Sequence, residues 1–329
     1  MSSSASQGSF SNQFFQMGFV QRVEGWLQAM PHPQVVVEIA APHVAIARWA
    51  GASGHLEGVA AEIIPSGSVM PSPVETNITQ PDAVRAVLRR IFDRVEPGNA
   101  PIALLVPDPV VRVFILPFDT LPRRSSDALP LLRWRLKKSV PFDVDDTVVS
   151  SMRQVGRDGG LEVLTAVARQ PIVREYEALI ESLGARPGVV LSSTLAALPL
   201  LDERGATLMV RLCGKNLTTV IVLGANLCVY RSTEVRADAA ALEPQAMLDE
   251  VFPAVAYYQD SWGSTVDRAH LSGFGARESV FSQALSEELK ITAGSIADAQ
   301  SLRSLDQAGK DLIPHGLDAL AGWMMNATP

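Results

Sequence analysis

Two stretches of this chain carry one pattern, and that repeat limits the fold more than any other feature. Over residues 34–64, short β-branched runs read as two strands joined at Ala41-Pro42, where proline breaks the ladder, and a third strand over 56–64. A helix follows over 81–95, with Val84, Val87, Leu88, Ile91 and Val95 on one face and Arg85, Arg89 and Asp93 elsewhere. The second copy places strands at 207–211, 218–223 and 227–231, with Gly224-Ala225-Asn226 as the hairpin turn, and a helix over 245–260. Each meander needs a helix to cover one sheet face, so two copies in one chain predict a duplicated α/β architecture.

Between the copies the pattern changes. Residues 101–107 and 110–117 read as strands around Pro107-Asp108-Pro109, followed by a helix that starts at Ser125 or Ser126 and runs to Val140, where Pro141 stops it. Strands at 147–154 and 162–168 pair across a glycine-rich turn, and a helix over 173–183 ends at Gly184. The chain divides into a polar tail with an amphipathic helix (1–32), a first lobe (33–100), an inserted strand-helix-strand subdomain (101–186) and a second lobe (187–329). In the N-terminal segment, Phe15, Phe19, Val23, Trp26, Leu27 and Met30 share one helical face after a Ser-rich stretch. The second lobe closes with a strand over 268–271, the loop Ser272-Gly273-Phe274-Gly275-Ala276, a helix over 278–289 and an amphipathic segment over 300–325.

Composition removes several functions. A net charge of −7 argues against a nucleic-acid surface, which needs clustered positive charge. The local exception is Arg123, Arg124, Arg133, Arg135, Lys137 and Lys138, read as a solvated helix face or as a contact to anionic lipid or a partner. Cys213 and Cys228 lie in apolar strands without CxxC spacing and are expected to be buried, reduced thiols. The five histidines are scattered, so neither a metal site nor a Ser/His nucleophile is indicated. No secretory signal is visible, and the most apolar stretch, 207–230, is interrupted by Arg211, Lys215 and Asn216. A cytoplasmic protein is expected.

The duplicated pattern resembles the actin-like (ribonuclease H-like) fold, in which each half contributes an Asp-x-Gly hairpin to a nucleotide site. Here the first hairpin is Glu38-Ile39-Ala40, with a longer acid and a methyl where glycine would let a phosphate approach. The second lies between Val210 and Thr219 and puts either Arg211 or Leu212 at the acidic position. No Asp or Glu occurs from Arg204 to Thr233. The third element, Gly273-Phe274-Gly275, could aim amides at phosphates, but its middle residue is a phenylalanine whose ring would fill that space. The pattern implies a pseudo-ATPase with no cofactor and no metal. The alternative is an active nucleotide-binding ATPase with divergent ligands, holding ATP and magnesium through Glu38, Thr218, Thr219, Gly273 and Gly275.

Within the insert, the run from Leu132 to Asp143, LRWRLKKSVPFD, resembles the type IV pilus assembly protein PilM family, whose subdomain has a helix ending in an aliphatic-Pro-Phe turn followed by acids; Asp143, Asp145 and Asp146 fit that ending. The similarity extends loosely from about residue 33 to the C-terminus. The segment 232–260 is too short for the multi-helix lobe that covers adenine in that family, leaving a reduced second small lobe of one or two helices. The resemblance implies an adapter at the cytoplasmic face of the inner membrane. Its partner would be the N-terminal tail of a bitopic PilN-like protein, in a groove between the 34–64 meander and the insert, with pilus motor components as further partners. Arg133, Trp134, Lys137, Val140 and Phe142 are the implied partner contacts. A type II secretion cytoplasmic-domain relative is a further alternative.

Overall fold

The computed structural model describes residues 32–50, 55–202, 204–224, 226–299, 301–302 and 305–326. The Ser-rich tail and the helix expected over Phe15 to Met30 lie outside the described residues.

The duplication is carried by two five-stranded sheets of the same topology. The first, in order β3-β2-β1-β4-β8, comprises β1 (Val35–Ile39), β2 (His43–Ala50), β3 (His55–Ile63), β4 (Pro101–Val106) and β8 (Arg186–Ser192). The second, β11-β10-β9-β12-β13, comprises β9 (Ala206–Cys213), β10 (Asn216–Leu223), β11 (Asn226–Glu234), β12 (Arg268–Ser272) and β13 (Thr292–Ser295). In each, an antiparallel meander is extended on one side by two parallel strands. Helices α1 (Pro81–Val95) and α3 (Gln170–Glu181) cover the first sheet, and α5 (Pro244–Trp262) and α6 (Glu278–Leu289) pack on the second. α5 is the one helix between β11 and β12, as the short segment there predicts.

Central β1 is buried on both faces, which explains its nearly continuous apolar sequence VVVEI. Val35, Val37 and Ile39 face α1 and α3, while Val36 faces a core shared by the lobes. That shared core joins Val36 and Leu105 to Met209, Val220 and Val222, and to Leu320 and Trp323 of α8 (Asp318–Asn326). Residues 317–324, expected as part of an amphipathic segment over 300–325, are therefore buried all round. α8 is enclosed by both lobes, crosses α4 (Ser193–Ala197) so closely that a Cβ on Gly322 would lie 2.2 Å from the Ala196 carbonyl oxygen, and donates Trp323 Nε1 to Pro33 O at 3.2 Å.

The insert is a separate antiparallel sheet, β5 (Arg112–Phe118), β7 (Leu161–Arg169) and β6 (Thr147–Val155) in that order, under α2 (Ser125–Leu136). Three expectations change here. β4, assigned by sequence to the insert, belongs to the first lobe's sheet, where its run PIALLV is buried between parallel neighbours. The matching strand β8 has no counterpart among the strands expected from sequence, and its Pro187 and Gly188 weaken a strand pattern. It is an edge strand, where proline is tolerated, and a Cβ at Gly188 would lie 2.9 Å from Pro101 Cβ. α2 stops at Leu136 rather than Val140: the chain continues through turns in which the Ser139 and Val140 amides both donate to Leu136 O, before Pro141.

Candidate functional site

The alternation of β1 that turns Val36 toward the second lobe also turns Glu38 there, and the alternation of β9 turns Met209 and Arg211 to meet it. Arg211 is thus 3% exposed between the lobes, not a solvated hairpin residue. Its Nη2 donates to Glu38 Oε1 at 3.2 Å and to Asp318 Oδ1 at 3.3 Å, while Nε donates to Asp318 Oδ2 at 2.8 Å. The two carboxylates are 0% and 1% exposed, so one guanidinium is shared between two fully buried acids. His43 Nε2 lies 3.4 Å from Glu38 Oε2.

Burial alone would push the Glu38 carboxyl up. The hydrogen bond from His43 and the charge of Arg211 outweigh it and hold the group at about 2, against an ordinary 4.5. Burial likewise works against the Arg211 charge, and Asp318 and Glu38 reverse it, so the guanidinium stays protonated.

A second polar cluster adjoins the first. Asp108, at the C-terminal end of β4, accepts four hydrogen bonds: Thr194 N at 2.9 Å and Tyr230 OH at 3.1 Å on Oδ1, Thr194 Oγ1 at 2.5 Å and Thr218 Oγ1 at 2.7 Å on Oδ2. Ser192 Oγ lies 3.3 Å from the Tyr230 hydroxyl. Burial and the Asp108 charge raise the Tyr230 pKa well above its ordinary value, so the phenol remains a donor. Residues of the first lobe (Asp108, Ser192, Thr194) thereby grip residues of the second (Thr218, Tyr230) across the same interface as the Arg211 pairs.

The five residues considered for nucleotide do not assemble into a pocket. Glu38 is committed to Arg211, and Thr218 to Asp108. Thr219 lies on the opposite face of β10, beside the second lobe's own core residues Leu217 and Ile221. Gly273 (φ +85°) is required by packing, since a Cβ there would sit 1.9 Å from the Leu212 carbonyl oxygen; Gly275 has open space around it. Phe274 does not cover a phosphate space. Its ring is buried in the second lobe, 4.6 Å from that of Phe281. The first turn of α6 carries Glu278, which any phosphate brought to that N-terminus would meet. The tips of the two hairpins touch: a Cβ on Gly214 would lie 3.7 Å from Ala41 and from Pro42. These residues, so arranged, do not fit a magnesium nucleotide. Among the described residues, no group of three or more His, Cys, Asp or Glu side chains could hold a metal ion.

Cys228 is buried and Cys213 only partly so, against the expectation of two buried thiols; both are free, with burial pushing each thiol up to about 12. Among the described residues no helix is long and apolar enough to cross a membrane.

The expected partner contacts also separate. Arg133 donates to Thr147 O at 3.0 Å, and Val140 and Phe142 pack in the insert's core with Leu136, Val144 and Val167, so these three hold the insert together. Lys137 is exposed, and Trp134 lines a cleft of about 720 Å³ between the insert and α5, with Phe118, Arg135, Arg157, Tyr257 and Trp262. The groove expected between the insert and the 34–64 meander is not favoured by the topology: β3 and β8 are opposite edges of the first sheet, and the insert joins at the β4–β8 side. A cleft of about 260 Å³ does lie between first lobe and insert, at β8, α3 and β6.

The signals missed by sequence were long-range. Asp108 sits between two prolines at the C-terminal end of a parallel strand, a place where α/β sheets gather polar groups. Asp318 gave no local signal.

No known sequence family and no curated protein matches the chain. Its fold is that of a PilM–PilN type IV pilus biogenesis complex, with a TM-score of 0.71 and 15% identity over 91% of this chain and 100% of the other. A Bacteroides thetaiotaomicron protein with an actin-like ATPase fold and unknown function superposes at TM-score 0.50 and 8% identity, over 85% and 98% of the two chains. The cytoplasmic domain of EpsL, an inner-membrane component of the type II secretion system of Vibrio cholerae, covers 72% of this chain and 81% of its own at TM-score 0.46 and 12% identity, too loosely to weigh. The fold is therefore actin-like, with an inserted subdomain.

Proposed function

We propose that this protein is an adapter of a type IV pilus or related secretion assembly platform, a divergent relative of PilM that holds the cytoplasmic N-terminal tail of a PilN-like bitopic membrane protein and does not turn over ATP. The fold it shares with a PilM–PilN complex supports the partner class. One observation carries the adapter reading: the interlobe position is filled by the Glu38–Arg211–Asp318 ion pairs and by hairpin tips in contact, where an actin-like ATPase would place magnesium and phosphates.

The cleft between first lobe and insert is the docking site. It is bordered by two edge strands, β8 and β6, whose outer backbone groups are open to an added extended segment. Val148, Val173 and Val190 line it with apolar surface, and Arg174 with Glu177 supplies a polar rim. Backbone pairing would supply affinity there, and the valines would select alternate side chains of the tail.

A fluorescently labelled peptide of the cytoplasmic tail of a PilN-like protein is expected to bind saturably to the full chain. Val148→Glu, in the cleft wall, is expected to weaken that binding at least tenfold. Absence of saturable binding, or binding untouched by Val148→Glu, overturns the assignment.

A further inference from the structure

Helix α2 has a face that the core of the insert does not use. Ala128, Leu132 and Leu136 point inward at i, i+4 and i+8. Leu131, Trp134 and Arg135, at i, i+3 and i+4, point outward, with Leu131 43% and Trp134 73% exposed. An indole left so open to water on an ordered helix is a group available for contact.

Five cations lie on or beside this helix. Arg123 and Arg124 precede α2, Arg135 lies in it, and Lys137 and Lys138 follow it. All five are exposed and none forms an ion pair among the described residues. The nearby acids Asp127, Asp143, Asp145 and Asp146 form no ion pair with these five: Asp127 accepts from Ser126 Oγ at 3.1 Å, Asp143 from the Asp145 amide at 3.0 Å, and Asp146 faces Arg169 at 3.9 Å. Asp119 and Asp158, which share a cleft with Arg135, form no ion pair with it. On a chain of net charge −7, this is a concentrated positive patch with an aromatic and an aliphatic side chain at its centre.

We propose that this face of α2 rests directly on an anionic lipid bilayer, with Trp134 and Leu131 entering the headgroup region and the five cations pairing with lipid phosphates. The chemistry is that of an interfacial helix: an amphipathic ring at headgroup depth and flexible cations around it. The Arg133 bond to Thr147 O fixes α2 to the start of β6, whose Val148 lines the cleft described above. A membrane partner's tail and the bilayer would then be met by one module, but the lipid contact does not depend on the identity of the tail.

The test is cosedimentation of the full chain with vesicles of phosphatidylcholine alone and of phosphatidylcholine mixed with phosphatidylglycerol. Binding is expected only to the mixed vesicles, falling as salt is raised, with a blue shift of tryptophan emission that Trp134→Phe abolishes. At about 1 kcal/mol per cation, Lys137→Ala/Lys138→Ala is expected to lower partitioning roughly 25-fold. Arg89→Ala/Lys215→Ala, with the same charge change at exposed positions elsewhere, is expected to leave it unchanged. Equal binding to both vesicle types, no binding to either, or full binding by the Lys137/Lys138 variant overturns the proposal. So does binding to polyglutamate without binding to vesicles, which would assign the patch to an acidic polypeptide.

Discussion

Replacing Arg211 by methionine keeps most of its volume and removes the positive charge that Glu38 and Asp318 share. Stripping one partner from a buried ion pair costs about 3–5 kcal/mol, because the remaining charge cannot be rehydrated. The Glu38 carboxyl gives a figure of the same size. Its fall from 4.5 to about 2, at about 1.4 kcal/mol per pH unit, represents roughly 3 kcal/mol of stability at neutral pH. Because the folded-state value is depressed, that contribution is present above pH 4.5 and is lost as pH falls toward 2. With the guanidinium gone, one of the causes that hold the carboxyl down is lost and its value moves up, so the deficit of Arg211→Met should shrink as pH falls from 4.5 toward 2. Urea unfolding monitored by circular dichroism reads this directly: at a slope of about 3 kcal/mol per molar, the midpoint should fall by about 1 M or more at pH 7. Adding Glu38→Gln and Asp318→Asn to Arg211→Met should recover much of the loss, since no unpaired charge remains. A loss under about 1 kcal/mol at pH 7, or a deficit that grows in acid, refutes the account of this cluster.

Asp108→Ala removes the acceptor for three hydroxyls and one amide, and should destabilise by about 3 kcal/mol or more in the same assay, with Thr218→Val costing about 1 kcal/mol. Gly273→Ala should cost far more than Gly275→Ala in thermal unfolding, because only the former drives a Cβ into the Leu212 carbonyl; equal effects would return the loop to a ligand-binding role. Trp323→Ala should cost about 3–5 kcal/mol and expose the interlobe core, read as increased binding of an apolar dye.

What the sequence made legible was local. Short β-branched runs at β1–β3 and β9–β11, the helical face of α1 and the proline after α2 were readable because each depends on neighbours within a few residues, and the repeat of the meander revealed the duplication. Edge and centre were not readable: Pro187 and Gly188 obscured β8, whose permissive place at the sheet edge is a tertiary fact. The candidate site was half legible. Alternation along β1 and β9 marked Glu38 and Arg211 as unusual charges in apolar strands, yet a basic residue beside a hairpin tip reads as solvated. Only Asp318, 107 residues further along the chain, turns Arg211 into a buried counter-ion. Thr218 and Thr219 look equivalent in sequence, and the pleat sends them to opposite cores. Phe274 reads as a lid until Phe281 is seen to draw its ring into the second lobe.

We propose that the buried Glu38–Arg211–Asp318 cluster leaves no room between the lobes for a magnesium nucleotide. Isothermal titration calorimetry of the full chain with ATP and magnesium tests it most directly. The account expects no saturable heat for the native protein. Saturable magnesium-dependent binding that is lost in Glu38→Ala would contradict it.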